Sequence, residues 1–198
     1  LSRERIADEL LKILALPDPR AIVGQMAVDG IFEVLLPELD DGFAATLDQL
    51  LANEEAAQVT IAPLRRLSAL LPANAAIAEQ VASRLRLSTR QRKHLAALGG
   101  SRSDIIRPVR QLAHAIGIDA ARDVHLLGGD PAAVRALSEW DVPQLPLKGG
   151  DIVARGIAAG PDVARILKAV EAAWVAEDFP DATRVAQLVD QKIGRASD

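Results

Sequence analysis

The sequence predicts an all-α fold, a multi-helix bundle in two lobes with no sheet. Apolar residues recur at helical spacing almost throughout, and no segment alternates as a strand does. Alanine is the commonest residue, aromatics are only 3% and Tyr is absent. That composition suits packed helices and lacks the residues strands favour. Pro and Gly then cut the pattern into helix-length pieces, about ten of them in expectation.

A first helix is predicted over residues 2–14, with Ser2 as N-cap and Ile6, Leu10, Ile13 and Leu14 on one face. Pro17 and Pro19 break it. Asp18 then caps a second helix with Pro19 at its first position, and Gly30 closes it. A short Pro-interrupted stretch covers 32–38. Residues 43–53 read as a helix with Phe43, Leu47, Leu50 and Leu51 inward. Two further helices, 63–71 and 75–86, are split by Pro72. Ser88 opens the next, which is expected to end near Gly99 and Gly100. Residues 103–116 are predicted helical, with Pro108 imposing a kink or a start near Ile106. Two short helices, 120–127 and 131–140, flank Gly128 and Gly129. Residues 141–149 are the best linker candidate. A short helix over 150–156, a long one over 161–178 and a last one over 180–193 complete the chain.

At 198 residues the chain makes one large domain or two small ones. It has no Cys, which excludes disulfide scaffolds, thiolate catalysis and Cys-based zinc sites and suits a reducing, cytoplasmic location. No signal peptide opens it, and no apolar run approaches the roughly 20 residues that span a bilayer. The first residue is Leu1, already inside a helical pattern. The expectation is a portion of a longer protein.

Charge is unevenly distributed. Residues 21–64 hold no basic and eight acidic side chains, while residues 65–118 hold ten basic and two acidic ones. A net charge of −4 hides this contrast. The densest basic cluster is Arg84, Arg86, Arg90, Arg92 and Lys93, with His94 behind it. It spans the end of one helix and the start of the next, where free N–H groups and the helix dipole favour an anion. The same cluster also suits a solvated helix face. With so few aromatics, recognition through backbone and shape is expected, as for structured RNA.

Other candidates are weaker. His94, His114 and His125 have no helical metal-pair spacing, so no metal site is expected. No G-x-S-x-G elbow occurs. The Gly99–Gly100 turn lacks the preceding strand a nucleotide loop needs and reads as helix punctuation; Gly128 and Gly129 read as a C-cap before Asp130 and Pro131. Asp40 and Asp41 read as loop solvation.

Three stretches carry a resemblance. Residues 1–14 (LSRERIADELLKIL), followed by residues 30–38 (GIFEVLLPE), resemble the neck of bacterial tRNA nucleotidyltransferases, the class II CCA-adding and poly(A) polymerase family. Residues 146–167 (PLKGGDIVARGIAAGPDVARIL), with Trp174 beyond, resemble the family's tail pattern. Residues 84–93 (RLRLSTRQRK) resemble the entry to its basic body helix. The order also matches. Gly150 departs by standing where Arg or Lys is usual, and Ala164 by standing where a second Gly is common.

The resemblance implies a neck remnant over 1–40, a helical body over 41–140 and a helical tail over 141–198. The family's catalytic head, with its G-G-x-[VA]-R-D and D-x-D motifs for Mg and CTP or ATP, has no counterpart here. This chain is therefore expected to be catalytically silent, without a cofactor of its own, and to partner tRNA and the head of the same protein. Arg84, Arg86, Arg90, Arg92 and Lys93 in the body, and Lys148, Arg155, Arg165 and Lys168 in the tail, are the implied RNA-binding residues. Ser2, Glu4, Arg5 and Glu9 match the neck residues that brace the head. They also suit a capped amphipathic helix, with Arg5 and Glu9 at i, i+4. The Gly160–Pro161 helix start suits a phosphate or a tight packing corner equally. Poly(A) synthesis, and an α-helical protein-interaction module without RNA binding, are the alternatives.

Overall fold

A computed structural model describes residues 2–194. Among them are thirteen α-helices, two 3-10 turns and no strand. The all-α expectation holds, with more and shorter helices than the ten expected. The chain divides into two compact units, residues 1–140 and 141–198. No helix of the described residues is long and apolar enough to cross a membrane.

In the first unit, α1 (Arg3–Leu14) starts as predicted, with the Ser2 Oγ accepting the Arg5 N–H. α2 (Arg20–Val28) starts one residue later than predicted, with Pro19 at the N-cap position rather than inside the helix, while Asp18 accepts the Arg20 N–H at 3.1 Å. Gly30, at φ 70°, turns the chain into α3 (Ile31–Leu35). Next come α4 (Phe43–Ala57), four residues longer than predicted, α5 (Pro63–Ala69) and α6 (Ala75–Arg84). Leu10, Leu14, Phe32, Leu36, Leu47, Leu50, Leu67 and Val81 form one core, so helices on both sides of residue 40 share the same interior.

The α6–α7 corner carries the basic cluster. Leu87 donates to the Ala82 carbonyl and Arg86 to that of Ser83, the paired bonds of a Schellman stop. The left-handed residue this stop needs is Arg86, at φ 54°, where glycine is usual. α7 (Thr89–Ser101) begins in a capping box: Ser88 Oγ accepts the Gln91 N–H, and Gln91 Oε1 accepts the Ser88 N–H.

α7 ends at Ser101, next to the expected Gly99–Gly100, but both glycines lie inside the helix and do not stop it. A Cβ at Gly99 would lie 2.7 Å from the Asn74 carbonyl oxygen; the glycine is there for the close approach of α6, not for termination. Nor does Pro108 kink a helix. A 3-10 turn (Arg102–Ile106) precedes it, and Pro108 sits extended at the N-cap of α8 (Val109–Ile116). Gly117 separates α8 from α9 (Ile118–Leu127), and Asp130 caps α10 (Pro131–Val134) as predicted. A second core of Leu98, Leu112, Ala121 and Val124 lies under α7, α8 and α9.

The second unit holds α11 (Gly149–Val153), α12 (Pro161–Ala176) and α13 (Ala182–Gly194) around Ile152, Ile166, Val170, Trp174, Val185 and Leu188. Trp174 donates its indole N–H to the Pro180 carbonyl at 2.9 Å and meets Phe179 edge-on.

Candidate nucleic-acid interface

The acidic and basic blocks of the sequence meet inside the first unit. Arg65 and Arg66 open α5 and are 2% and 3% exposed. Arg65 donates to Glu54 of α4 (2.7 Å), to Asp123 of α9 (2.7 Å) and to the Thr60 carbonyl (2.8 Å). Arg66 donates to the other oxygen of Glu54 (2.9 Å) and to the carbonyls of Leu14 and Leu16, which close the C-terminal end of α1. His94 of α7 completes the network, with Nε2 2.8 Å from Asp123. A multiply bonded set of this kind is what a buried ion pair needs to offset desolvation.

Above this network lies a cleft of about 910 Å³ between the first turns of α7, the 60–65 segment and the start of α9. Its lip carries Arg90 and Lys93, both exposed, with no carboxylate within ion-pairing distance among the described residues. Arg122 lines the opposite side and is paired with Asp119 (3.2 Å). His94 and Asp123 lie on the wall. No Phe, Tyr or Trp lines the cleft among the described residues.

The remaining members of the basic cluster are engaged. Arg84 is largely buried in a two-pronged pair with Glu38, which holds the Glu38 carboxyl below the usual carboxylate range. Arg86 donates to Glu4 at 2.7 Å and lowers that carboxyl likewise. Arg92 lies 3.6 Å from Glu79. So the structure brings Arg90 and Lys93 together at the cleft and turns Arg84, Arg86 and Arg92 toward carboxylates.

The neck residues take separate places on α1. Ser2 caps it, Glu4 reaches Arg86, and Glu9 pairs with Lys12 at 2.8 Å rather than with Arg5. In the second unit, Lys148 and Lys168 are exposed and unpaired among the described residues. Arg155 lies 3.3 Å from Asp190 and donates to the Asp151 carbonyl, and Arg165 pairs with Asp162 at 2.9 Å. Two of the four predicted tail cations are thus engaged. No group of three His, Asp or Glu side chains able to hold a metal converges among the described residues.

Sequence reasoning missed the buried network entirely. Its one legible signal is Glu54 and Glu55 followed by Arg65 and Arg66, adjacent like charges on neighbouring helices.

A protein-family model described as "Probable RNA and SrmB- binding site of polymerase A" matches residues 1–43, the segment from α1 to the first residue of α4. No curated protein matches the chain.

Proposed function

We propose that this chain is the RNA-binding, non-catalytic part of a nucleotidyltransferase of the bacterial class II CCA-adding type, and that it grips tRNA by its phosphates. The observation that carries the reading is the cleft, where Arg90 and Lys93 stand unpaired beside the capped start of α7. Elsewhere in the basic cluster, carboxylates already neutralise the arginines. The match over residues 1–43 supports it, because that segment is tied to the cleft's foundation: Arg66 binds the end of α1, and Glu4 binds Arg86. Catalysis, with its Mg and CTP or ATP, belongs to a head outside these residues. Incorporation of nucleotide by this chain alone should be undetectable.

Structured RNA fits the lining. Single-stranded RNA is usually held by stacking on aromatic faces, whereas duplex shape is read through phosphates and sugars. The cleft offers cations and aliphatic walls. The words of the matched family description favour a second reading, poly(A) synthesis, whose substrates end in single strands.

Competition separates the two. Labelled tRNA bound to the 198-residue chain should be displaced by unlabelled tRNA far more readily than by oligo(A). Displacement by oligo(A) at equal nucleotide concentration favours the poly(A) reading. Absent or salt-independent binding overturns the RNA role and leaves a protein-interaction module.

A further inference from the structure

We infer that His94 is a third phosphate-binding cation of the cleft, acting only when its ring is protonated; the inference rests on reading the cleft as an RNA site. Asp123 is 5% exposed and has one oxygen on Arg65 and the other on His94 Nε2. A carboxylate held by an arginine accepts hydrogen bonds and donates none, so the Nε2 of His94 carries a proton. Nδ1 is then the ring atom whose state varies. In the neutral ring it is an acceptor, which has nothing to offer a phosphate oxygen. In the imidazolium it is a donor.

The charge balance points the same way. Arg65 and Arg66 face Glu54 and Asp123, two cations against two anions, with His94 neutral. Their side chains are 3–7% exposed, whereas that of His94 is 23% exposed and lines the cleft. A proton on His94 therefore gives the network one net positive charge at the face that opens to ligand. The charged groups around the ring are Asp119, Arg122 and Asp123 on α9, Arg65 on α5 with Glu54 of α4 behind it, and Arg90 and Lys93 on its own helix. Arg90, Lys93 and Arg122 oppose a further cation, and Asp119 and Asp123 favour it. A phosphate entering the cleft adds negative charge to the favourable side. RNA binding and proton uptake then reinforce each other, and the coupling is reciprocal.

The test is anisotropy of labelled tRNA with the 198-residue chain at about pH 6 and about pH 8, the range in which imidazoles ordinarily change charge, across a salt series. Wild type should bind roughly three- to tenfold tighter at the lower pH, as one added charge-assisted contact allows. The slope of log Kobs against log salt should steepen there by about 0.7–0.9. His94→Gln keeps a donor for Asp123 and lacks the charge; it should bind equally at both pH values, at the wild-type pH 8 level. His94→Lys carries the charge permanently and should bind tightly at both. Salt-dependent binding that is the same at both pH values, or a pH response that survives in His94→Gln, overturns the role of His94 and leaves the RNA reading standing. If His94→Gln does not fold, a pH response retained by His94→Lys overturns it equally. No binding at either pH overturns both.

Discussion

Arg65 and Arg90 come from the same basic block of the sequence and end in opposite environments. Arg65 has every arm of its guanidinium engaged by Glu54, Asp123 or a carbonyl and is 2% exposed. Arg90 stands in solvent at the lip of a cleft with no carboxylate partner among the described residues. Arg66 shares the fate of Arg65, and Lys93 that of Arg90; Arg84 is also claimed by a carboxylate, Glu38, but is only partly buried and its Nε has no partner. A basic block is therefore two populations. One neutralises the acidic block and fastens α1, α4, α5 and α9 to each other; the other is left to meet a ligand.

The sharpest way to break this contrast is Glu54→Ala. It leaves buried Arg66 without a carboxylate and Arg65 with Asp123 alone, and breaking a buried pair in this way costs about 3–5 kcal/mol. Urea denaturation should report the loss as a lower midpoint with an unchanged slope. Next in size is Gly99→Ala. The new Cβ would meet the Asn74 carbonyl, backbone that does not yield, and the overpacking should cost about 1–3 kcal/mol in the same assay. Glu38→Gln is smaller, about 1 kcal/mol at neutral pH, because its pair with Arg84 is partly open to solvent. Its signature is in the pH profile. Arg84 lowers the Glu38 carboxyl, so this pair stabilises the fold above the ordinary carboxylate range and loses its effect as pH falls through the lowered value. In Glu38→Gln, the acid limb of stability against pH should be shallower. Smallest for the fold are Arg90→Ala and Lys93→Ala, each within about 0.5 kcal/mol of wild type by thermal melting.

The fold class was legible because helical periodicity is local, and caps such as Ser2, Asp18, Ser88 and Asp130 stand next to the helices they start. Gly99 was misread because a glycine that ends a helix and one that admits a neighbour look alike in sequence; only the approach of Asn74 distinguishes them. At Pro108 the restart holds and the kink does not, with α8 beginning at Val109 rather than near Ile106; proline marks a break without saying whether the helix bends or restarts. The basic cluster was visible as composition, but its division was not. Arg84 meets Glu38 across 46 positions and Arg65 meets Asp123 across 58. No local pattern announces such pairings. His94 has no metal-pair partner at helical spacing in the sequence, and only the packing of α9 against α7 brings Asp123 to it.

The most direct test of the two-population account is the salt dependence of tRNA binding for wild type and the Arg90→Ala/Lys93→Ala double variant, measured at one pH with folding checked by circular dichroism. If these two side chains meet phosphate, the slope of log Kobs against log salt should become shallower by about 1.4–1.8, one counterion-releasing contact for each. An unchanged slope in a folded double variant would contradict the account.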